Sequence, residues 1–195
     1  MNVLKPYIKS QTEKVRSLVA DSVENIAFTY KTLYEKIPGD YRAMGGCIGG
    51  TTGNTGSSDA LRTYPLSTLD IAEIKANDQT LRVWLMRDDN QRQEGLMWVR
   101  DTEISDEQGM LFVFPDERVR GFWMKDTITP LDIAFARFDG EIVMTHQMPP
   151  LTLNTFPSVE PAMFALEMKA GAFEKLGIEV GDHLDIPASV LNGVK

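Results

Sequence analysis

The sequence predicts a mainly β fold, a jelly-roll-like β-sandwich or barrel with one long N-terminal α-helix appended. Three observations carry that expectation. Gly109-Met110-Leu111-Phe112-Val113-Phe114 is one small residue followed by five large apolar ones, closed by Pro115. A run so short suits a strand covered on both faces better than a buried helix. Leu81-Arg82-Val83-Trp84-Leu85-Met86-Arg87 alternates, with Leu81, Val83, Leu85 and Arg87 on one face and Arg82, Trp84 and Met86 on the other. Asp139-Gly140 separates two further apolar segments and is a strong hairpin signal.

Taken in order, residues 10–37 read as one amphipathic helix. Val15, Val19, Val23, Ile26, Tyr30, Leu33 and Ile37 recur at steps of three and four, which keeps them on one helical stripe. Ser10 and Glu13 fit a capping box, and Pro38-Gly39 stops the helix. Residues 39–68, with six glycines between Gly45 and Gly56, have the composition of a linker. That gives three parts: a helical arm over 1–38, a Gly/Ser-rich linker over 39–68, and a β domain over 69–195.

Within the β domain, Ile71 and Ile74 open a strand ahead of the Leu81 run. Asp89–Trp98 reads as a short helix or turn, and Phe122-Trp123-Met124 as a second apolar block ending in Lys125-Asp126-Thr127. Phe112 and Trp123 are both expected to be nearly fully buried. Leu131–Phe138 and Ile142–His146 flank the hairpin turn. Met148–Val159, with three prolines, reads as an irregular loop, and Ala162–Met168 as another strand. Gly171–Gly177 suits one or two helical turns with Gly177 as the cap, and Gly181–Ile186 suits a closing strand.

Gly95-Leu96-Met97 with Arg100, the Gly109–Phe114 run, Phe122-Trp123-Met124-Lys125 before Thr127, and Pro130-Leu131-Asp132-Ile133 occur in an order and spacing shared with one family. Leu166-Glu167, Gly171 and Gly181-Asp182 continue the series. Over roughly residues 78–187 the chain thus resembles domain-of-unknown-function family 192. The resemblance implies a small jelly-roll-type β domain and supplies no accepted catalytic residues to carry over. Members of that family are often exported or lipid-anchored. Here Met1–Lys5 has no apolar h-region, so no secretory signal is expected, and the chain is placed in the cytoplasm or within an assembled particle.

The formal charge of −8 argues against a nucleic-acid footprint, which needs a basic face. Of 20 basic and 28 acidic residues, six and five lie in residues 1–40, so the acidity belongs to the remainder. Cys47 is the one cysteine, which excludes an internal disulfide and any two-thiolate metal site. No stretch approaches the length of a membrane span. His146 and His183 are the only histidines and share no ligand spacing, so neither a metal nor another cofactor is expected.

The candidate ligand-binding residues are Trp123, Lys125, Asp132 and Glu167. The aromatic side chain offers a stacking surface, the lysine a charge, and the two acids are carboxylates on otherwise apolar strands. A structural ion pair or hydrogen bond is the commoner role for such acids, with Lys125, Arg100 or Arg120 as partners. No catalytic residue is assigned. The candidate interface is the stripe Val15, Val19, Val23, Ile26, Tyr30 and Leu33. The helix-plus-linker appendage favours a noncatalytic structural or attachment module of a larger assembly, such as a virion, docking on other subunits through that stripe. The alternative is a carbohydrate or small-ligand-binding domain. A hydrolase using Asp132 or Glu167 stands third.

Overall fold

The computed structural model describes residues 57–195. These lie in one compact unit, Gly56–Lys195. The helix expected over 10–37, its interface stripe from Val15 to Leu33, and Cys47 fall outside the described residues.

Seven strands form the framework: β1 (Ile71–Ala76), β2 (Gln79–Met86), β3 (Gln108–Phe122), β4 (Leu131–Ala136), β5 (Ile142–Met148), β6 (Phe156–Lys169) and β7 (Leu184–Asp185). Two short helices join them, α1 (Asp89–Glu94) and α2 (Ala172–Leu176), so the described residues are mainly β. All seven strands belong to one sheet in the order β5-β4-β6-β3-β2-β1-β7. Every pairing is antiparallel except β2 with β3, which run parallel because α1 and its following loop cross over between them.

The sheet curls until its two edges meet at one end. There Ile142 N donates to Asp182 O at 2.8 Å, Gly181 N to Ile142 O at 2.9 Å, and Leu184 N to Gly140 O at 2.9 Å. Gly140 has φ +95°, and a Cβ there would stand 2.2 Å from the Leu184 carbonyl oxygen. Only glycine fits this approach, so the hairpin turn read from Asp139-Gly140 is also the hinge of the curl.

Both faces of the sheet are covered. Leu81, Val83, Leu85, Leu111, Val113, Ala134, Phe164 and Leu166 fill the inner face together with Phe173 and Ile178 from the α2 region. Trp84, Met86, Met110, Phe112, Leu131, Ile133, Phe135 and Ala165 lie on the outer face with Leu96, Val99, Ile104 and Met124 from loops. The alternation in Leu81–Met86 is therefore realised as read.

Of the sandwich or barrel expected, the mainly β class holds, and among the described residues the strands form a single curled sheet, a half-barrel, in place of two stacked sheets. Apolar strands need cover on both faces, and here loops and a folded-back ribbon supply it instead of a second sheet. The ribbon is the far part of β3 and β6. Beyond Val113 the β3–β6 register shifts, resuming at Arg118–Ala162 and shifting again before Gly121–Pro157. These bulges bend the pair back over the outer face. Pro115 does not end β3 as its position suggested. It sits where the ladder is already interrupted, where a missing N–H does least harm.

The N-terminal edge of the described chain also differs from its composition. Within the segment read as linker, Ser58–Leu61 and Leu66–Thr68 form 3-10 turns, Arg62 is buried, and Leu66 packs in the outer cluster.

Candidate functional site

Arg62 is the post on which the site is built. Its side chain is fully enclosed and donates to three carbonyls: Tyr64 O at 3.1 Å, Met97 O at 2.7 Å and Gly95 O at 2.7 Å. Glu94, at the end of α1, lies 3.6 Å from the Arg62 guanidinium. Its two oxygens accept from Thr63 N at 2.7 Å and Tyr64 N at 2.8 Å. Burial lowers the Arg62 pKa, against the pull of Glu94, Asp59 and Glu103. One arginine–glutamate pair thus locks residues 63–64 against the end of α1 and the Gly95–Met97 turn. α1 is itself held by Asp88, which accepts from Gln91 N in a capping box.

The lock forms one wall of an open groove of about 450 Å³, lined by Thr63, Tyr64, Asn90, Gln93, Glu94, Met97, Trp123 and Lys125. Trp123 and Lys125 supply the opposite wall. Trp123, expected in the core, is instead 44% exposed, whereas Phe112 is 1% exposed. The reason is strand geometry. At the end of the bent ribbon Phe122 and Met124 turn inward, and Trp123 between them turns outward. Lys125 lies over the Trp123 ring with its ammonium 5.6 Å from the centroid. The segment is fixed from behind, where Met124 N donates to Thr152 O at 2.9 Å and Thr127 N to Met124 O at 3.1 Å.

Of the four residues proposed from sequence, Trp123 and Lys125 come together, and Asp132 and Glu167 lie elsewhere. Asp132 is on the inner face at the start of β4. It accepts from Gly171 N at 2.8 Å, Phe173 N at 3.1 Å and Gln147 Nε2 at 3.2 Å, holding the entry to α2. Burial raises its pKa, and those hydrogen bonds oppose the rise. Glu167 is on the outer face of β6, between Met110 of β3 and Ile133 of β4 in the ladder. It is 4% exposed and has no hydrogen-bond or ion-pair partner among the described residues. Burial pushes its carboxyl up to about 8, so it carries its proton at neutral pH.

The two acids occupy opposite faces of the sheet and cannot act on one substrate together. Of the ion-pair partners suggested for them, Arg120 pairs with Asp116 and Arg100 with Glu103, and Lys125 lies over the Trp123 ring, away from both acids. Arg100 and Ser58 hold the Glu103 carboxyl down at about 2, although burial works against this. Among the described residues no three metal-binding side chains gather, and His146 Nε2 is paired with Pro157 O at 2.7 Å.

Sequence reasoning missed Tyr64, Asn90, Gln93 and the Arg62–Glu94 lock. Arg62 stands in a segment that composition marked as linker. The available signal was Leu66 and Leu69, two large apolar residues that a solvated linker does not need.

Comparison with known proteins gives the lineage of this framework. A Sinorhizobium meliloti 1021 crystal structure, provisionally described as a transcription regulator, is similar with a TM-score of 0.57 and 33% identity. The match covers 60% of this chain and 94% of that one. A protein of unknown function from Novosphingobium aromaticivorans DSM 12444 matches with a TM-score of 0.58 and 28% identity, over 69% of this chain and 100% of that one. Among curated proteins, none matches the chain. Residues 72–186, more than half of the sequence, match the model of the DUF192 family, described as Uncharacterized ACR, and the chain belongs to that family.

Proposed function

We propose that the β domain is a noncatalytic binding module for a small polar ring-bearing ligand, a saccharide, taken up in the groove of Trp123 and Lys125. The observation that carries this reading is the half-exposed Trp123 facing a prefixed wall. An indole left in water at the rim of a groove, where its neighbours on the strand are buried, offers a flat apolar face for the C–H side of a sugar ring. Around it, the Tyr64 hydroxyl and the Asn90 and Gln93 amides carry no hydrogen bonds among the described residues and can serve sugar hydroxyls. Glu94 is excluded from that role because its oxygens are taken by Thr63 and Tyr64 amides.

The test is a titration of the protein with a saccharide panel, followed by the indole N–H resonances of its three tryptophans. The Trp123 signal should move with saturation while Trp84, which is 5% exposed, stays still. In Trp123→Ala the heat of saccharide binding measured by calorimetry should vanish with the fold unchanged. A panel that moves no signal overturns the proposal.

A second reading rests on the stripe Val15, Val19, Val23, Ile26, Tyr30 and Leu33. Such a stripe supports attachment to other subunits of a larger assembly, a virion among them, and is compatible with a ligand-binding domain behind it. The Sinorhizobium protein's provisional description finds no support in this acidic chain, whose formal charge is −8.

A further inference from the structure

We infer that the groove selects saccharides bearing a carboxylate, with Lys125 as the residue that reads the charge. The inference rests on the ligand-binding reading above and narrows it to a substrate class.

Arg62 is spent on three carbonyls, and Glu94 on two amides and Arg62. Arg92, on the same helix as Asn90 and Gln93, is held by Asp89 and by the carbonyls of Val113 and Lys195. Lys125 is different. It is exposed, it lies within reach of the Trp123 ring, and no carboxylate among the described residues stands within ion-pair distance of it. Every other charge that faces the groove is internally balanced, so an anionic ligand group finds one uncompensated cation there. The Lys125 ammonium lies over the indole, 5.6 Å from its centroid, so a sugar ring that takes this face displaces the exposed ammonium to the ring's edge, where a carboxylate substituent can meet it.

The number of charges argues for a carboxylate over a phosphate or a polyanion. One ammonium, a compact point charge, matches one negative charge. A dianion would need a second donor of charge, and the chain's net −8 repels extended polyanions. Neutral saccharides keep the stacking and the amide contacts but gain nothing from Lys125.

The experiment compares methyl glucoside, glucuronate and glucose 6-phosphate on the full chain, reading the Trp123 indole N–H. Glucuronate should bind about tenfold more tightly than methyl glucoside, the scale of one exposed charge-assisted hydrogen bond. The difference should shrink as salt is raised. Lys125→Met should remove the difference between the acidic and the neutral sugar, and Lys125→Arg should restore most of it. Equal binding of neutral and acidic sugars overturns the charge selection and leaves the saccharide reading standing. Tighter binding of the phosphate overturns the single-charge match. Silence of Trp123 toward all three overturns both readings. Lys125 and Trp123 are exposed, so none of these variants should compromise folding.

Discussion

Phe112 and Phe122 belong to the same strand, ten residues apart, yet their rings meet edge to face with centroids 4.8 Å apart. An extended strand of that length would separate them by roughly 33 Å. The contact exists because the β3–β6 ribbon is bulged twice and folds over the sheet it started from. Phe122 also meets the Phe135 ring at 5.5 Å, so the ribbon clasps β3 to β4 across β6.

Phe112→Ala should therefore cost about 3–5 kcal/mol, combining lost transfer energy with a cavity under the ribbon. Trp123→Ala, at the exposed rim, should stay within about 1 kcal/mol of the parent. Chemical denaturation measures both. A double-mutant cycle between Phe112 and Phe122 should give a coupling of about 0.5–1.5 kcal/mol. Zero coupling would mean that the ribbon does not close over the sheet in solution.

How much of this was legible beforehand follows from the range over which each signal acts. The Leu81–Met86 alternation, the Asp139-Gly140 hairpin and the Gly177 cap are local patterns, and each reappears in the structure. The fold-back of β3 was not legible, because nothing in Gly109–Phe122 alone states that residue 122 returns to residue 112. Trp123 was misplaced for the same reason. In an apolar triplet the sequence marks all three residues as core, and only the bend decides which one faces out. The site suffered most, since its two walls come from segments about sixty residues apart. One of them, Thr63–Tyr64, was masked by the glycine-rich composition upstream. Trp123 with Lys125 could be picked out. Their opposite wall could not.

Glu167 makes stability depend on pH. Its ordinary value is 4.5 and its folded value about 8, so the folded chain holds this proton more tightly than the unfolded one. The associated stability is fully present below pH 4.5, falls as pH rises between the two values, and is lost above about 8. The loss is on the order of a few kcal/mol. Glu167→Gln should flatten the profile and leave the variant more stable than the parent at pH 9. Denaturation midpoints from pH 5 to 9 provide the check. Parallel profiles for parent and variant would show that the carboxyl reaches water more freely than its 4% exposure indicates.

Arg62→Ala should be among the most damaging single changes. It leaves the carbonyls of Tyr64, Gly95 and Met97 without their donor and Glu94 without its cation. The expected cost is about 3–5 kcal/mol. The groove should fail with it, because Thr63–Tyr64 and the Gly95–Met97 turn, which form one of its walls, hang on that guanidinium. Arg62→Met refills part of the volume and should recover part of the stability without recovering ligand response. A variant that binds as the parent does would show that the lock does not shape the groove.

Where the chain is cut should discriminate between arm and domain. Removing residues 1–55 leaves the compact unit Gly56–Lys195 with Arg62, Leu66 and Leu69 in place, so this piece should remain folded. Removing residues 1–68 takes Arg62 and Leu66 as well, uncovering part of the outer face, and should lower the melting temperature sharply or abolish folding. The shorter cut also addresses the stripe from Val15 to Leu33. If that stripe docks on other subunits, the full chain should elute as an oligomer and residues 56–195 as a monomer, with Val23→Asp and Ile26→Lys together reproducing the monomer in the full chain. Burial of a charge at a docked apolar position would be costly enough to do this without altering the β domain. Identical elution of all three proteins, with the fold intact, would remove the attachment arm and leave the groove as the domain's one proposed contact with a partner.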